Sequence, residues 1–210
     1  EPARAGRLKP PEESAAWVIA MHRELRGQLL DLHTAAVELI NVLRPTVAVS
    51  VFITFAALAL DQYPGCRENL AAGEAGCVNL CAQEVRRLFP CGAAVMARGR
   101  HDFEWNGYHF RKGRRVALDL YGTDHDPRTW EEPEEFRPER FRQWDGNPFS
   151  FIPQGGGGHH RNHRCPGEWA AIELIKVSSN FLAGGITFEV PDQDLSIDYA
   201  RLPALPRSRF

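Results

Sequence analysis

The sequence lacks an excess of charge of either sign. Its 210 residues carry 25 basic and 27 acidic side chains, for a formal net charge of -2. Such a balance gives no basis for binding to nucleic acid or to an anionic membrane surface. A continuous apolar run of the ~20 residues that a bilayer span needs is also lacking, because Ser50 and Thr54 interrupt the most apolar stretch, residues 46–60. We therefore expect no membrane span, and a buried helix at this stretch.

The cysteines lack a regular spacing, and their number is odd. An odd number of cysteines without a framework predicts free thiols in a reducing, cytoplasmic setting. Two of them are one helical turn apart and could share a metal ion, but no second pair of ligands lies nearby. The five cysteines are Cys66, Cys77, Cys81, Cys91 and Cys165, and the close pair is Cys77 and Cys81.

The N-terminus lacks a basic segment followed by an apolar one, so we expect no signal peptide. It begins on a polar stretch without Met, which suggests that the sequence starts partway through a longer protein. We expect residues 1–210 to belong to a single domain, because the composition is that of an ordinary globular chain.

Apolar periodicity predicts a mainly α protein with small β-sheets. Helices are expected at residues 15–30, with Ser14 as a cap and a bend or break at Gly27, and then at 30–60, 77–89 and 166–182. Pro45 lies inside the long second helix and should kink it, because proline removes a backbone donor. The Asn106-Gly107 pair predicts a hairpin over residues 103–110. Residues 122–150 should form an irregular meander, and residues 186–210 short strands.

Cys165 lies where a loop meets a helix. Pro166 and Glu168 are typical of a helix N-terminus, so Cys165 is predicted to be the N-cap. The positive end of the helix favours a thiolate there. The glycines at 155–158 leave no side chains to block a flat ligand from approaching the sulfur. These features suit an axial haem ligand, and the alternative is a buried, inert cysteine.

Two other sites could use the same segment. His159, His160 and His163 could form a zinc site with Cys165, although their spacing does not resemble a zinc finger. The glycine run could bind phosphate, but the Lys-Ser/Thr pair that should follow it is absent.

Three motifs occur in a fixed order along the chain. Glu84 and Arg87 are three residues apart on one helix face and can pair. Next come Phe-Arg-Pro-Glu-Arg-Phe, residues 136–141, and the glycine-rich loop that ends in Cys165-Pro166-Gly167. This ordered set resembles the cytochrome P-450 superfamily over nearly the whole chain, in its C-terminal half. That half comprises a long distal helix, an E-x-x-R helix, a meander and a cysteine loop.

The superfamily resemblance implies a cofactor and a structural triad. The cofactor would be haem b, with Cys165 as the axial ligand of its iron. Glu84, Arg87 and Arg140 would form a buried charge triad beneath the cysteine loop, where removing one partner leaves a charge uncompensated.

Two departures narrow the resemblance. The loop between Phe151 and Cys165 is longer than in most members, with residues 158–163 inserted. The long helix has Arg44-Pro45 where most members carry an acid and an alcohol that deliver protons. Together with the Pro-Gln-Gly-Gly-Gly and His-Arg-Cys-Pro-Gly-Glu sequences, these features resemble the bacterial fatty-acid peroxygenase branch.

The branch resemblance implies an oxidoreductase that hydroxylates or decarboxylates long-chain fatty acids at the α or β carbon. It would use hydrogen peroxide and need no reductase. Arg44 would bind the substrate carboxylate, because a guanidinium matches a carboxylate in a bidentate pair. The bound carboxylate would replace the missing acid in proton delivery, and Pro45 would make room over the iron.

Alternatives remain for the residue and for the protein. Arg44 could pair with a protein carboxylate or reach the surface. The protein could be a reductase-dependent monooxygenase, a non-catalytic haem-binding fragment or a zinc-binding module.

Overall fold

The structure is a computed structural model that describes residues 1–208. It divides into two compact units, Glu1–Ser50 and a second unit that begins at Val51. The division falls inside one long helix. Helices dominate and the sheets are small, as the sequence predicts.

The first unit contains α1 (Ala15–Met21) and the beginning of α2 (Leu32–Gln62). Ser14 caps α1 as predicted, because its hydroxyl oxygen accepts a hydrogen bond from the backbone N–H of Trp17. The bounds of α2 lie within two residues of the predicted ones, and helical backbone continues through Pro45.

The helix predicted over residues 15–30 is too long. After α1 the chain turns at Gly27, whose φ of 80° favours glycine. Arg23 then pairs with Leu29 in an antiparallel bridge. The apolar spacing in this segment therefore belongs partly to a turn, which periodicity alone does not separate from a helix.

The second unit holds most of the regular structure. In chain order its elements after α2 are α3 (Pro64–Ala71), α4 (Cys77–Leu88), β1 (Ala94–Arg98), β2 (Phe103–Trp105), β3 (Tyr108–Phe110), β4 (Arg115–Asp119), α5 (Leu120–Asp124), a 3-10 helix (Pro138–Arg142), α6 (Glu168–Asn180), a π-helical turn (Phe181–Gly185), β5 (Ile197–Asp198) and β6 (Leu205–Pro206).

The strands form three antiparallel pairs within the described residues. β1 pairs with β4, β2 with β3, and β5 with β6. The β2–β3 hairpin is confirmed, and its turn residues Asn106 and Gly107 have φ values of 48° and 76°. The predicted meander contains the end of α5 and the 3-10 helix, and is otherwise irregular.

The main core of the second unit forms where α2, α4 and α6 meet. Phe55 and Leu58 of α2 are fully buried and belong to one apolar cluster with Val85 and Ile175. The ring of Phe55 stacks on that of Phe89 with centroids 4.8 Å apart. The end of α2 and the middle of α4 are therefore held in place by apolar packing.

By length and composition, α2 is also the one described helix that could cross a membrane. Its most apolar 18-residue window has a mean hydropathy of 1.9, and 28% of that window is buried. The sequence predicts a buried helix at residues 46–60. This holds from Val51 onward, whereas residues 46–48 are exposed in the structure.

The expectation of free thiols is wrong for two cysteines. Cys66 of α3 and Cys81 of α4 form a disulfide, and their Cα atoms are 7.2 Å apart. They are separated by 15 residues, and they meet only because α3 and α4 pack side by side. Cys77, Cys91 and Cys165 are free.

We predict that Phe55→Ala in the full-length holoprotein lowers the free energy of unfolding by about 3–5 kcal/mol, because it leaves a cavity in a packed core. Urea unfolding measures the loss. Val177→Ala is the matched control, since Val177 is 65% exposed and should change stability by less than about 0.5 kcal/mol. Equal losses in both variants would contradict the burial of Phe55.

Candidate functional site

Cys165 lies on a narrow loop that is closed by backbone hydrogen bonds. Gly155 and Arg164 form an antiparallel bridge, and the N–H of Cys165 donates to the carbonyl of Gln154 at 2.9 Å. Residues 156–163 form an excursion between these paired segments. The backbone that carries the sulfur is therefore fixed although it belongs to no helix or strand.

The prediction that Cys165 is the N-cap of α6 is wrong. The N-cap is Gly167, because Pro166 and Gly167 form a turn before helical backbone begins at Glu168. The Cys165 carbonyl still accepts a hydrogen bond from the N–H of Glu168 at 3.2 Å. Cys165 thus lies just outside the N-terminus of α6, and it is partly exposed.

Glycine is required at two positions of the loop for reasons that the sequence did not reveal. Gly155 has a φ of 95°, and a Cβ there would overlap the carbonyl oxygen of His163. Gly157 has a φ of 81°, and a Cβ there would lie 2.6 Å from the side chain of Asn162. The close approach of the two loop segments therefore depends on these glycines.

The structure brings the three residues of the expected triad around one carboxylate. Glu84 and Arg87 are fully buried. Nε and Nη2 of Arg87 each donate to a Glu84 carboxylate oxygen at 2.9 Å. Nε of Arg140 lies 3.3 Å from Oε1 of Glu84, and the backbone N–H of Arg137 donates to the same oxygen at 2.8 Å.

Asp124 connects this triad to the cysteine loop, a role that the sequence did not predict. Arg87 donates to the carbonyl oxygen of Asp124 at 2.9 Å, and Oδ1 of Asp124 accepts the N–H of Ile152 at 2.8 Å. Burial raises the pKa of Asp124 to about 7, although the hydrogen bond from Ile152 and the charge of Arg87 act in the opposite direction.

Glu168 is a second buried carboxylate, and its role was also not predicted. Arg164 donates to its two oxygens at 2.5 and 3.0 Å. Nη2 of Arg86 contacts Oε1, and Nε2 of His159 lies 2.8 Å from Oε2. Arg86 also donates to Gln154 at 3.2 Å, so this cluster connects α4, the cysteine loop and α6.

The charge of Glu168 is stabilised by its partners. Burial alone would raise its pKa, but the hydrogen bonds from Arg164 and the charge of Arg86 outweigh burial and lower the pKa to about 2. The spacing of Arg164 and Glu168, four residues apart, was a signal for one of these pairs. Arg86 and Glu168 are 82 residues apart, and no local pattern indicates that they meet.

The zinc alternatives are not supported. Among residues 1–208, no group of three His, Cys, Asp or Glu side chains is arranged to hold a metal ion. The ring of His159 instead stacks on Trp169, with centroids 4.0 Å apart. Cys81, which the sequence paired with Cys77 as a possible metal site, is bonded to Cys66.

The donor set at Cys165 fits a cofactor better than a free ion. A protein-bound zinc ion needs three or four protein ligands, whereas Cys165 offers one sulfur on a fixed loop. Haem brings ring nitrogens of its own and would need only one further ligand from the protein. The partial exposure of Cys165 also argues against an inert, buried thiol.

Arg44 and Pro45 lie in α2, within the first unit. Arg44 is exposed. Within the described part of the chain it makes no ion pair with a carboxylate. It is the only charged residue between Glu38 and Asp61. The alternative in which Arg44 pairs with a carboxylate of residues 1–208 is therefore not supported, whereas its exposure agrees with the alternative in which it reaches the surface.

The fold and this donor set are those of a protein that holds haem through a cysteine thiolate. A family model for cytochrome P450 matches residues 77–178, and the chain belongs to this family, whose cofactor is haem b. Curated relatives include Cytochrome P450 3A5 of Homo sapiens, 30% identical over 182 residues. That match covers 75% of this chain and 36% of the relative. Rhazimal synthase of Alstonia scholaris is 38% identical over 128 residues, which are 55% of this chain and 25% of that protein.

Similar solved structures are cytochrome P450 proteins, two of which hold a fatty acid. Cytochrome P450SP alpha (CYP152B1) is 54% identical, with a TM-score of 0.89, over 100% of this chain and 51% of that one. A variant of cytochrome P450 OleT with arachidonic acid is 38% identical, with a TM-score of 0.87, over 100% and 49%. Cytochrome P450EX alpha (CYP152N1) with myristic acid is 42% identical, with a TM-score of 0.85, over 99% and 50%. The chain thus spans about half the length of these structures.

We predict that Glu168→Gln lowers the free energy of unfolding of the full-length holoprotein by about 3–5 kcal/mol, because the buried Arg86 and the half-buried Arg164 lose their compensating charge. Chemical unfolding followed by tryptophan fluorescence measures this. Glu173→Gln is the matched control on the same helix, since Glu173 pairs only with Lys176 and its side chain is 65% exposed. A Glu168→Gln variant as stable as that control would contradict the buried cluster.

The same variant tests a pH dependence. Because the pKa of Glu168 falls from 4.5 to about 2 on folding, its stabilising charge is fully present above about pH 4.5 and is lost as the pH falls toward 2. Glu168→Gln should therefore show a smaller loss of stability than the wild type across that window. Identical acid profiles for the two proteins would show that Glu168 is not held ionised.

Asp124→Asn should reduce a different pH dependence. The raised pKa of Asp124 means that its contribution to stability is present below about pH 3.8 and is lost as the pH rises toward 7. The asparagine oxygen can still accept the N–H of Ile152, so the loop contact is retained. We expect the variant to lose less stability than the wild type between pH 4 and 7 in thermal unfolding, and a steeper loss would contradict this.

Proposed function

We propose that the protein containing this chain is a haem-thiolate peroxygenase that oxidises long-chain fatty acids with hydrogen peroxide. It would hydroxylate the α or β carbon, or decarboxylate the acid. The observation that carries this proposal is Cys165 on a charge-stabilised loop. Arg44, the only charged residue between Glu38 and Asp61, supports an acidic substrate. Structural neighbours that hold myristic and arachidonic acid support the substrate class.

Cys165 would hold the haem through its sulfur, and the charged residues around the loop would support it. When bound, thiolate-ligated haem supplies oxygen transfer from peroxide, because the thiolate donates electron density that favours cleavage of the O–O bond. Cys165 supplies the thiolate. The groups of side chains around Glu84 and Glu168 hold the loop, so that the sulfur keeps its position during the reaction.

Arg44 binds the substrate carboxylate in this proposal. A guanidinium forms two parallel hydrogen bonds with a carboxylate, and Arg44 is exposed and therefore accessible to one. The neighbouring polar side chains do not compete, because Thr46 donates to the carbonyl of Val42 at 3.1 Å and Ser50 to that of Val47 at 2.7 Å. The fatty acid is thereby oriented with its carboxyl end fixed.

The bound carboxylate also has a role in proton transfer. It accepts a proton from hydrogen peroxide at one oxygen and returns it to the oxygen that leaves as water. Hydroxylation converts one C–H bond and one peroxide into an alcohol and one water. Decarboxylation converts the acid and one peroxide into a terminal alkene, carbon dioxide and two waters. Pro45 fixes the backbone beside Arg44.

The proposal includes a soluble, cytoplasmic protein that works without a reductase. The burial of α2 from Val51 onward supports this, because these residues pack against α4 and α6 rather than facing lipid.

The first experiment supplies the full-length holoprotein with myristic acid and hydrogen peroxide, without a reductase. We expect 2- or 3-hydroxymyristate or a terminal alkene. Product formed only with an electron donor and a reductase would instead establish a monooxygenase.

The role of Arg44 is tested by substitution. Arg44→Ala should lower peroxide-driven kcat/KM by at least about 100-fold, because both carboxylate binding and proton transfer are lost. Arg44→Lys should retain part of the activity, since it keeps the charge but not the bidentate geometry. The haem absorption spectrum measures cofactor binding, which should not change in either variant. Unchanged turnover in Arg44→Ala would contradict the role of this residue.

A further inference from the structure

Three of the five cysteines meet at one place, and the proposed reaction uses none of them. Cys66 on α3 is bonded to Cys81 on α4. The sulfur of Cys77, also on α4, lies 3.8 Å from that of Cys81. Three sulfurs from two helices therefore occupy one side of the α3–α4 junction.

This sulfur cluster opens to a cavity. A cavity of about 310 Å³ is lined by all three cysteines, together with Tyr63 and Phe136 among other residues. Cys66 is partly exposed, whereas Cys77 and Cys81 are 4% and 3% exposed. A small, uncharged molecule of the size of hydrogen peroxide could reach the sulfurs through this cavity, and Cys66 is the one it meets with least obstruction.

The geometry favours one pair of sulfurs over the other. The bond between Cys66 and Cys81 joins two helices that already pack together. Cys77 and Cys81 are four residues apart on one helix. A bond between them would link two side chains of α4 without joining α4 to another helix.

The surroundings of Cys77 also disfavour its oxidation. Burial raises the pKa of the Cys77 thiol, and the carboxylates of Glu74 and Glu139 raise it further, while Arg142 lowers it. Cys77 is therefore protonated at neutral pH. A protonated thiol is a poor nucleophile, so Cys77 should remain a thiol when its neighbours are oxidised.

We propose that Cys66 and Cys81 form a peroxide-responsive thiol pair, whose oxidation product is the disulfide that links α3 to α4. The Cys66 thiolate attacks one oxygen of hydrogen peroxide, which forms a sulfenic acid and releases the other oxygen as water after protonation. Cys81 then attacks the sulfenic sulfur, the S–S bond forms, and a second water leaves. Two thiols lose two electrons, and one peroxide is reduced to two waters.

The consequence for the protein is a reversible link at α4. This helix carries Glu84, Arg86 and Arg87, which support the loop of Cys165. The link would stabilise that helix when hydrogen peroxide is abundant. The inference rests on the proposed function in one respect, namely that the protein meets hydrogen peroxide as a substrate.

The test uses the full-length holoprotein without fatty acid. The protein is reduced with dithiothreitol, desalted, treated with equimolar hydrogen peroxide, and denatured in N-ethylmaleimide to label free thiols. After a second reduction, isotopically heavy N-ethylmaleimide labels the cysteines that had been oxidised, and peptide mass spectrometry locates both labels. We expect Cys66 and Cys81 to lose the light label together, while Cys77 and Cys91 keep it. Dithiothreitol added after peroxide should restore the light label at both.

Two outcomes would overturn the inference. One is light label retained at Cys66 and Cys81 after peroxide, and the other is heavy label at Cys77 in place of Cys66. Cys66→Ser should keep the light label at Cys81, and the matched control Cys77→Ser should still form the disulfide. If Cys66→Ser does not fold, the labelling of the wild type alone decides.

Fatty-acid turnover, measured separately, distinguishes the two proposals. A disulfide without turnover would keep this inference and overturn the peroxygenase. Turnover without a disulfide would do the reverse. Thermal unfolding gives a further readout, because the oxidised protein should melt a few degrees above the reduced one, a difference that Cys66→Ser should abolish.

Discussion

The structure depends on two buried carboxylates next to the loop of Cys165, each of which pairs with two arginines. Glu84 and Glu168 are almost fully buried, and an unpaired charge in such a place is strongly destabilising. One helix, α4, contributes Glu84 and two consecutive arginines that bind different carboxylates. The four arginines are Arg86, Arg87, Arg140 and Arg164.

This arrangement explains how an irregular loop can hold the sulfur of Cys165 in a fixed position. The loop has few apolar contacts of its own beyond Phe151 and Ile152, which are buried. Instead, Asp124 connects the backbone of Ile152 to the Glu84 cluster, and Gln154 connects the loop to Arg86. Hydrogen bonds to charged groups are stronger than neutral ones, so these contacts fix a segment that packing alone would leave mobile.

The sequence predicted features that depend on local spacing. The long helix, the α4 helix and the hairpin were correct to within a few residues, because periodicity and the Asn106-Gly107 turn act over short distances. The spacing of Glu84 and Arg87 indicated their pair for the same reason. Contacts between distant residues were missed, among them the pairing of Arg86 with Glu168 and of Cys66 with Cys81. Their partners meet only after α3, α4 and α6 have packed.

Two other differences between the prediction and the structure have their cause in the loop of Cys165. The sequence Cys-Pro-Gly-Glu is typical of a helix start, but it does not say which residue is the cap. The bridge between Gly155 and Arg164 extends the loop backbone as far as Cys165, and the helix therefore begins at Glu168. The histidines of the insertion were predicted as a possible metal site. His159 instead contacts Glu168, because a buried carboxylate is stabilised by each hydrogen-bond donor that it accepts.

The most direct test of this account is iron-edge X-ray absorption of the full-length holoprotein, which identifies the atoms bound to the haem iron. The account predicts one sulfur in the coordination shell of the wild type, and its loss in Cys165→Ser while haem remains bound in the folded protein. A wild-type shell of nitrogen and oxygen alone, or a sulfur that persists in Cys165→Ser, would show that Cys165 is not the ligand.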